Sequence, residues 1–412
     1  MSIIRDKSLA ASGLAKINWV KDFMPVLSHL EKKMAAEQPL KGLKVAVCVH
    51  LEAKTAYLGL VLRAAGAQIT VTGSNPLSTK DDVCAALDSM GVEVFAWHGA
   101  TDQEYHDHQI KALEFCPDII IDDGSDLVSL LHDEVPQYAK NMLGGCEETT
   151  TGIHRLRARS KAGKLNFPMF AVNDAKCKCL FDNIHGTGQS TWDGIMYSTN
   201  NMVSGRTVVV AGYGYCGSGI AKRAAGLGAN VIITEIDRHK ALAALMDGFR
   251  VMPMAQAAPL GDIFVTATGC TKVITGEHFA TMKNNVLLAN AGHFDVEVDR
   301  GALEKMCVKM ENRKPFIDGY HLPGGKVLNL LAEGRLVNIV AGNGHPAEIM
   351  DLSFSIQLLS ALHVAKNAKQ LKPLVYDIPS DIDNEVARIK MEAMELCIDT
   401  LSAEQAEYLG SM

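Results

Sequence analysis

The chain has 412 residues, 48% of them hydrophobic and 21% charged, with a formal net charge of −7. That length allows two or three domains with sizeable cores, and the composition is that of a globular protein rather than a disordered or fibrous one. The acidic balance, with no basic run, excludes a nucleic-acid surface, and no stretch reaches the about 20 apolar residues that a membrane span needs.

The N-terminus, Met1 to Lys7, has no continuous apolar segment behind it and does not read as a secretory signal, so a cytoplasmic location is expected. Ten cysteines are scattered without a CxxC pair, which favours reduced thiols over structural zinc, and no metal is expected. His106 and His108 read as part of a solvated helix among Asp102, Glu104 and Asp107.

In chain order, a strand over Lys44 to Val49 is followed by a helix over Thr55 to Ala65, and a strand over Gln68 to Thr72 by a helix over Lys80 to Met90. Strands over Glu93 to Ala96 and Asp118 to Asp122 come next. Short apolar strands alternating with amphipathic helices predict a mainly parallel sheet covered on both faces. Ligands in such sheets sit beyond the carboxyl ends of the strands, which draws attention to His50, Asn75 and the Asp122-Asp123-Gly124 cluster. Asn173 to Asn200, polar and glycine-containing, reads as a hinge. From Gly205 to about Gly344 the alternation restarts as a second α/β domain. A long apolar helix over Ile349 to Asn367 follows, then a linker with Pro373 and Pro379, and a charged helical tail over Asn384 to Leu409 suited to packing on a partner subunit. No internal repeat is seen.

The second domain opens on a strand, Val208 to Ala211, that breaks into Gly212, Gly214 and Gly217 and continues as a helix over Ser218 to Leu227. Gly212 permits the tight turn, Gly214 lets the backbone approach a pyrophosphate, and Gly217 allows close packing. The next strand, Val231 to Thr234, ends on Glu235, placed to hold a ribose diol and to repel a 2′-phosphate. These features together predict bound NAD, with Arg238 nearby as the one residue that would favour NADP.

Several clusters hold more polar residues than packing requires: His50-Leu-Glu52-Ala-Lys54-Thr55, Asp122 to Asp126, Glu147 to Gly152, Asn173-Asp174 with Lys178 and Asp182-Asn183, Asn290 to Asp295, and Leu331 to Asn338 running on to His345-Pro346. Singly, each has a bland reading as a strand edge, helix cap or turn. Together and in this order, EETTTG, FDN, the glycine turn with TEID, GHFD and LLAEGRLVN resemble the S-adenosylhomocysteine hydrolases over nearly the whole chain, from about Ile17 to Leu409.

The resemblance implies two doubly wound parallel-sheet α/β domains and a small helical C-terminal segment. Residues 1–186 and 346–378 would form a discontinuous substrate-binding domain, 187–345 an NAD-binding Rossmann domain, and 379–412 an oligomerisation segment of a homotetramer. It implies a small nucleoside-thioether substrate that is oxidised at the ribose 3′ position, loses homocysteine by elimination, adds water at C5′ and is reduced again.

Carried over position by position, Lys178 and Asp182 match the pair that takes the 3′-hydroxyl proton, and burial beside a carboxylate is expected to bring the lysine pKa towards working pH. Asp123 matches the group near the 4′ proton, Glu148 the carboxylate on the ribose hydroxyls, and His50 and His293 the pair handling protons at C5′. Asn183 and His345 match residues positioning nicotinamide and substrate. Thr149, Thr150, Thr151, Gly212, Gly214, Tyr215, Cys216, Gly217, Glu235, Lys240, Asn338 and the Ala291-Gly292 backbone correspond to the NAD contacts. Gly292-His293-Phe294 resembles the family's gate over the substrate channel.

Two departures from the family pattern bear on function. Glu52 and Lys54 stand where the common pattern has Thr and Glu facing the six-membered edge of the purine, beside Thr55. Glu can accept from the N1–H of hypoxanthine and Lys can donate to its O6, so the swap fits an S-inosyl thioether better than an S-adenosyl one; the alternative is that Lys54 turns to solvent or pairs with Glu52. An HLEAKTA form of this kind resembles a subgroup of archaeal and thermophilic-bacterial members. The second departure is the C-terminus, which stops at Tyr408 to Met412 where most members continue into a tail that reaches a neighbour's NAD, so a more exchangeable NAD is expected. Lys240 in place of Asn and Thr187 in place of Cys read as minor changes. An ordinary NAD-dependent dehydrogenase with net redox turnover, or a catalytically silent nucleoside-binding relative, are the rival readings.

Overall fold

The computed structural model describes residues 1–410; Ser411 and Met412, the end of the tail discussed above, lie outside the described residues. Six strands build most of a first sheet: β1 (Lys44–Cys48), β2 (Gln68–Thr72), β3 (Glu93–Phe95), β4 (Ile119–Asp122), β5 (Gly144–Glu147) and β6 (Met169–Ala171). A second sheet holds β7 (Thr207–Ala211), β8 (Asn230–Thr234), β9 (Arg250–Val251), β10 (Ile263–Thr266), β11 (Val286–Asn290), β12 (Lys309–Lys314), β13 (Ile317–His321) and β14 (Val327–Leu331). The chain then returns to the first sheet with β15 (Val375–Asp377).

The first sheet has the order β15-β6-β5-β4-β1-β2-β3 and is parallel throughout. The second has the order β12-β13-β14-β11-β10-β7-β8-β9, parallel except where β12, β13 and β14 pair antiparallel at one edge. Counted from its own first strand, each sheet winds outwards in both directions and reverses beside that strand, between β1 and β4 and between β7 and β10. A crevice opens at each reversal, beyond the carboxyl ends of the strands.

The apolar runs of these strands are buried because each sheet is covered twice. In β1 and β4, Val45, Val47, Ile119 and Ile121 enter one core while Ala46, Cys48 and Ile120 enter another. In β7 and β10, Val208, Val210, Ile263 and Val265 face one layer while Val209 and Phe264 face the opposite one. Two-sided burial is what a run without polar alternation requires.

The long helix Ala347–Asn367 lies against the first sheet, and its Asp351 stitches it to two neighbours. The Asp351 carboxylate accepts from Val26 N (3.1 Å) and Leu27 N (2.8 Å), capping the helix Pro25–Glu37, and pairs with Lys390 Nζ (2.9 Å) of the helix Ser380–Ala393. This arrangement supplies the amide donors of a helix start with a buried anion.

Three expectations are corrected. The segment read as a hinge is helical almost throughout, with a π-helix over Cys179–Gly186 followed by an α-helix over Thr187–Thr199. Its glycines serve close packing rather than freedom: a Cβ on Gly188 would lie 2.7 Å from Gly219 O, and one on Gly194 2.5 Å from Val337 O. His108 is only 3% exposed and meets Trp97 edge-on at 4.2 Å, because it lies on the inner face of the helix Asp102–Glu114; His106 stays near water and bonds Glu134 at 2.8 Å. The charged tail is two helices, Ser380–Ala393 and Ala403–Gly410. The first ends where Glu395 takes φ 56° and Leu396 N returns to Met391 O at 2.9 Å, a left-handed C-terminal closure. No described helix is long and apolar enough to cross a membrane. All ten cysteines are free.

Candidate active site

One cleft of about 1360 Å³ lies beyond the carboxyl ends of both sheets and takes its lining from each. Of the residues that the resemblance matches to catalytic, substrate or NAD contacts, all line it except Gly217, while Phe294 of the gate segment does not. Asn75 and Asp122, noted as strand-end residues, are buried behind it and hold backbone amides instead, Asn75 that of Leu77 (2.9 Å) and Asp122 that of Val128 (2.9 Å).

The wall after β1 carries His50 and the start of the helix Ala53–Ala64, which Glu52 caps by accepting from Lys54 N (3.2 Å). Thr55 Oγ1 donates back to His50 O (2.6 Å), fixing the turn. The Lys54 ammonium turns inwards, bonding Glu52 Oε2 at 2.7 Å and Asn343 O, across the cleft, at 3.2 Å. The arrangement is therefore the paired one weighed above as the alternative to the inosyl reading, but both heads stay on the cavity wall, and one ammonium N–H and Glu52 Oε1 are left over from these contacts.

His50 Nδ1 meets Ser78 Oγ at 2.8 Å, and its Nε2 lies 3.5 Å from Asp123 Oδ2. Burial pulls the His50 pKa down to about 4, against the opposing pull of Asp123, so the ring is neutral near pH 7. Asp123, at the end of β4, is held by Ser74 Oγ (2.9 Å), and His293 Nδ1 stands 3.8 Å from its other oxygen. The ligand atoms of His50, Asp123 and His293 all fall within 4.8 Å of one another. Beneath them Glu147 accepts from Gly124 N (2.8 Å), Ser125 N (2.9 Å) and Thr149 N (3.0 Å), which shapes the turn that presents Asp123.

A second constellation surrounds Lys178. Its ammonium lies 2.8 Å from Asp182 Oδ2, 3.1 Å from Asn183 Oδ1 and 3.3 Å from Glu148 Oε1. Asp182 also accepts from His345 Nδ1 and from Ser353 Oγ (2.6 Å), and Glu148 from Gln357 Nε2 (2.6 Å). Burial alone would favour neutral lysine, but Asp182 and Glu148 together outweigh it and raise the Lys178 pKa above its ordinary value. The expected lowering towards working pH is thus not what the two flanking carboxylates produce. Burial pushes Glu148 up to about 7 even with Lys178 beside it, whereas for Asp182 the cost of burial is overcome by Lys178 and then His345, and its pKa falls.

On the facing side, Gly212 takes φ 96°, and a Cβ on Gly217 would lie 2.0 Å from Gly212 O, which is why Gly217 packs inside the turn rather than lining the cleft. Gly214 faces open space, with no atom within 4 Å of where a Cβ would stand. Glu235 accepts from Tyr213 N (2.7 Å), Ile236 N (2.7 Å) and Asp237 N (3.0 Å) at the tip of β8. Lys240 lines the cleft and Arg238 does not. Asn338 donates to Ser190 Oγ (3.2 Å), leaving its buried Oδ1 without a partner.

Comparison with known proteins places the chain in a family. The profile described as "S-adenosyl-L-homocysteine hydrolase" matches residues 2–142, and "S-adenosyl-L-homocysteine hydrolase, NAD binding domain" matches 183–344. An S-inosyl-L-homocysteine hydrolase of Methanopyrus kandleri is 53% identical over 99% of this chain and 96% of its own length. An adenosylhomocysteinase of Pyrococcus abyssi is 53% identical over 99% and 97%. A third relative, an adenosylhomocysteinase of Thermotoga maritima, is 50% identical over 97% and 99%. The chain belongs to the S-adenosyl-L-homocysteine hydrolase family.

NAD is the cofactor of this hydrolase, and the residues present fit it: the cradle at Gly214 is open, Glu235 closes the adjoining strand end, and the orphan acceptor of Asn338 awaits a donor such as a carboxamide. Sequence reasoning missed the residues that hold the charged groups in place. Ser353 and Gln357 sit in a helix that reads as apolar core, although two polar residues four apart on an otherwise apolar face were a usable signal, and the structure buries both. Ser74 and Ser78 carried no signal of their own. The wall from Ala267 to Val273 was also missed; Glu297 holds it through Thr268 N (3.0 Å) and Gly269 N (2.8 Å).

Proposed function

We propose that this hydrolase reversibly cleaves a purine-nucleosyl homocysteine thioether to nucleoside and L-homocysteine, with an S-inosyl substrate matching its purine wall better than an S-adenosyl one. The observation that carries the reading is the Lys178 ammonium held between Asp182 and Glu148, in one cleft with the His50–Asp123–His293 cluster and the glycine turn. NAD, which Gly212, Gly214 and Glu235 would hold, would supply reversible hydride chemistry at C3′, so that the cycle as a whole has no net oxidation.

The residues then divide the remaining work. Glu148 binds the ribose hydroxyls, and Lys178 with Asp182 orients the 3′-hydroxyl and accepts its proton. Lys178 rests charged, so it must first shed a proton; protonation of Glu148, whose pKa lies at about 7, removes one of the two anions that keep it charged. Asp123 takes the 4′ proton that the neighbouring ketone acidifies. His50 and His293 handle the protons at C5′: the one that Asp123 takes from C4′ passes through this cluster to the departing homocysteine sulfur, and neutral His50 can take one from the incoming water. Asn183 and His345 orient substrate and nicotinamide, Thr149 to Thr151, Tyr215, Cys216, Lys240 and Ala291-Gly292 line the cofactor arm, and closure around Gly292-His293-Phe294 keeps bulk water from the intermediate.

The substrate unit comprises 1–186 and 346–378 and the cofactor unit 187–345. The segment from 379 onward serves a homotetramer, with its first helix anchored through buried Val386 and Ile389 and its exposed Leu396, Ile398 and Leu401 left for a neighbouring subunit. The location is the cytoplasm, which the free cysteines support.

The test is isotope exchange. Cofactor-loaded protein incubated with nucleoside in deuterated solvent should incorporate deuterium at C4′ without accumulating reduced cofactor. No exchange with any purine nucleoside would end this reading, and steady accumulation of reduced cofactor would favour a net dehydrogenase.

A further inference from the structure

Arg155 projects from the helix Thr150–Lys161, which follows β5 in the first sheet, towards a loop that belongs to the second. Its guanidinium carbon lies 4.7 Å from the ring centroid of Phe294, its Nη1 donates to Gly124 O at 2.9 Å, and it reaches Asp126 Oδ1 at 3.3 Å. The same cation therefore grips the turn that presents Asp123 and the loop that presents His293. Arg157 and Arg159, on the same helix, instead pair with Asp174 (2.7 Å) and Asp133.

The contacts around His293 show what this grip governs. Its ring packs edge-on against Phe294 at 4.7 Å, stands 3.8 Å from Asp123 Oδ1, and rests against Gly124, where a Cβ would come within 2.7 Å of Nε2. From its own side the loop is tied down by Asn290 Nδ2, which donates to Gly292 O (3.0 Å) and Phe294 O (2.9 Å). The Phe294 backbone is thus anchored to the second sheet while its ring faces a cation from the first.

We infer that Arg155 is a positioning residue that latches the His293-Phe294 loop across the cleft, setting both the placement of His293 on Asp123 and the rate at which the closed cleft releases its nucleoside. The inference rests on the proposed hydrolase reading and adds to it a cross-cleft latch made by a residue that lines the cavity but lies outside the proton-handling groups.

The experiment compares the wild-type holoenzyme with Arg155→Ala, Arg155→Lys, Phe294→Leu and the Arg155→Ala/Phe294→Leu double variant, using stopped-flow displacement of bound inosine or adenosine and the thioether KM. Arg155→Ala should speed nucleoside release and raise KM about fivefold, the scale of one partly exposed cation–π contact, with NAD content unchanged. Arg155→Lys, which keeps the charge but loses the flat stacking surface, should fall between, and it carries the test if the alanine variant misfolds. Phe294→Leu should have little further effect once Arg155 is gone. Arg157→Ala should behave as wild type. Unchanged release in Arg155→Ala and Arg155→Lys, or effects of Arg155→Ala and Phe294→Leu that simply multiply, would overturn the latch. A wild-type enzyme that binds no purine nucleoside would instead sink the hydrolase reading.

Discussion

Exchanging the two charged residues on the purine wall for the common family pair, as Glu52→Thr with Lys54→Glu, should invert the enzyme's choice of purine. Lys54 spends two of its three N–H donors on Glu52 and Asn343 O, leaving one for the ligand, and Glu52 keeps one oxygen free of the ammonium. Hypoxanthine satisfies both, giving its N1–H to Glu52 and taking Lys54 on O6. Adenine sets its N6 donors against the ammonium and its N1 lone pair against the carboxylate, so two hydrogen bonds to charged groups go unmade, at about 1.5–3 kcal/mol each. The full mismatch would be about 3–6 kcal/mol. Lys54 keeps its two protein partners in either case, so the lower end applies, which is about a hundredfold in kcat/KM. Homocysteine release from the inosyl and adenosyl thioethers, measured side by side on wild type and variant, reads this directly. Rates within threefold of each other on the wild type, or a ratio that the double substitution leaves in place, would refute the reasoning.

Two further outcomes follow from the buried groups. Ser353→Ala and Gln357→Leu each remove one donor from a carboxylate flanking Lys178, and each should lower kcat about tenfold or more with NAD content and KM little changed; a KM effect alone would show that these side chains only shape the binding surface. His50 has a folded pKa of about 4, below its ordinary 6.5, so the unfolded chain takes up that proton first and stability is lost as pH falls from about 6.5 towards 4. His50→Asn should flatten the fall in Tm over that window, and curves that stay parallel to wild type would contradict the assigned shift.

The fold was legible where local pattern and tertiary demand coincide. Residues 44–48, 207–211 and 230–234 are apolar runs because parallel strands are buried on both faces, and that is visible in any such run. The cleft residues were legible because their motifs cluster at strand ends. What was not legible depended on side-chain direction. Lys54 could face water or Glu52 on the same helix start, and only the Asn343 carbonyl, from the loop before the helix Ala347–Asn367, makes the inward pose a three-way contact. Burial beside a carboxylate was expected to bring the Lys178 pKa towards working pH, a reading that weighs desolvation above the carboxylate's own pull. Asp182 and Glu148, the latter thirty residues away in sequence, together outweigh burial and raise it instead. His108 and the glycines of 186–194 were misread for the same reason, since polarity and small size describe both a solvated segment and a tightly packed one.

The winding of residues 179–186 has its own bearing on how this enzyme can change. Asp182 and Asn183 are adjacent in sequence, yet both reach the Lys178 ammonium. On an ordinary α-helix consecutive side chains diverge by about 100°, and one of the two would point elsewhere. The wider turn, with its extra residue, brings both onto one face. Losing a single amino acid from this octet would tighten the spiral and rotate one of them off the ammonium, so the segment should tolerate substitution far better than it tolerates a change in its length.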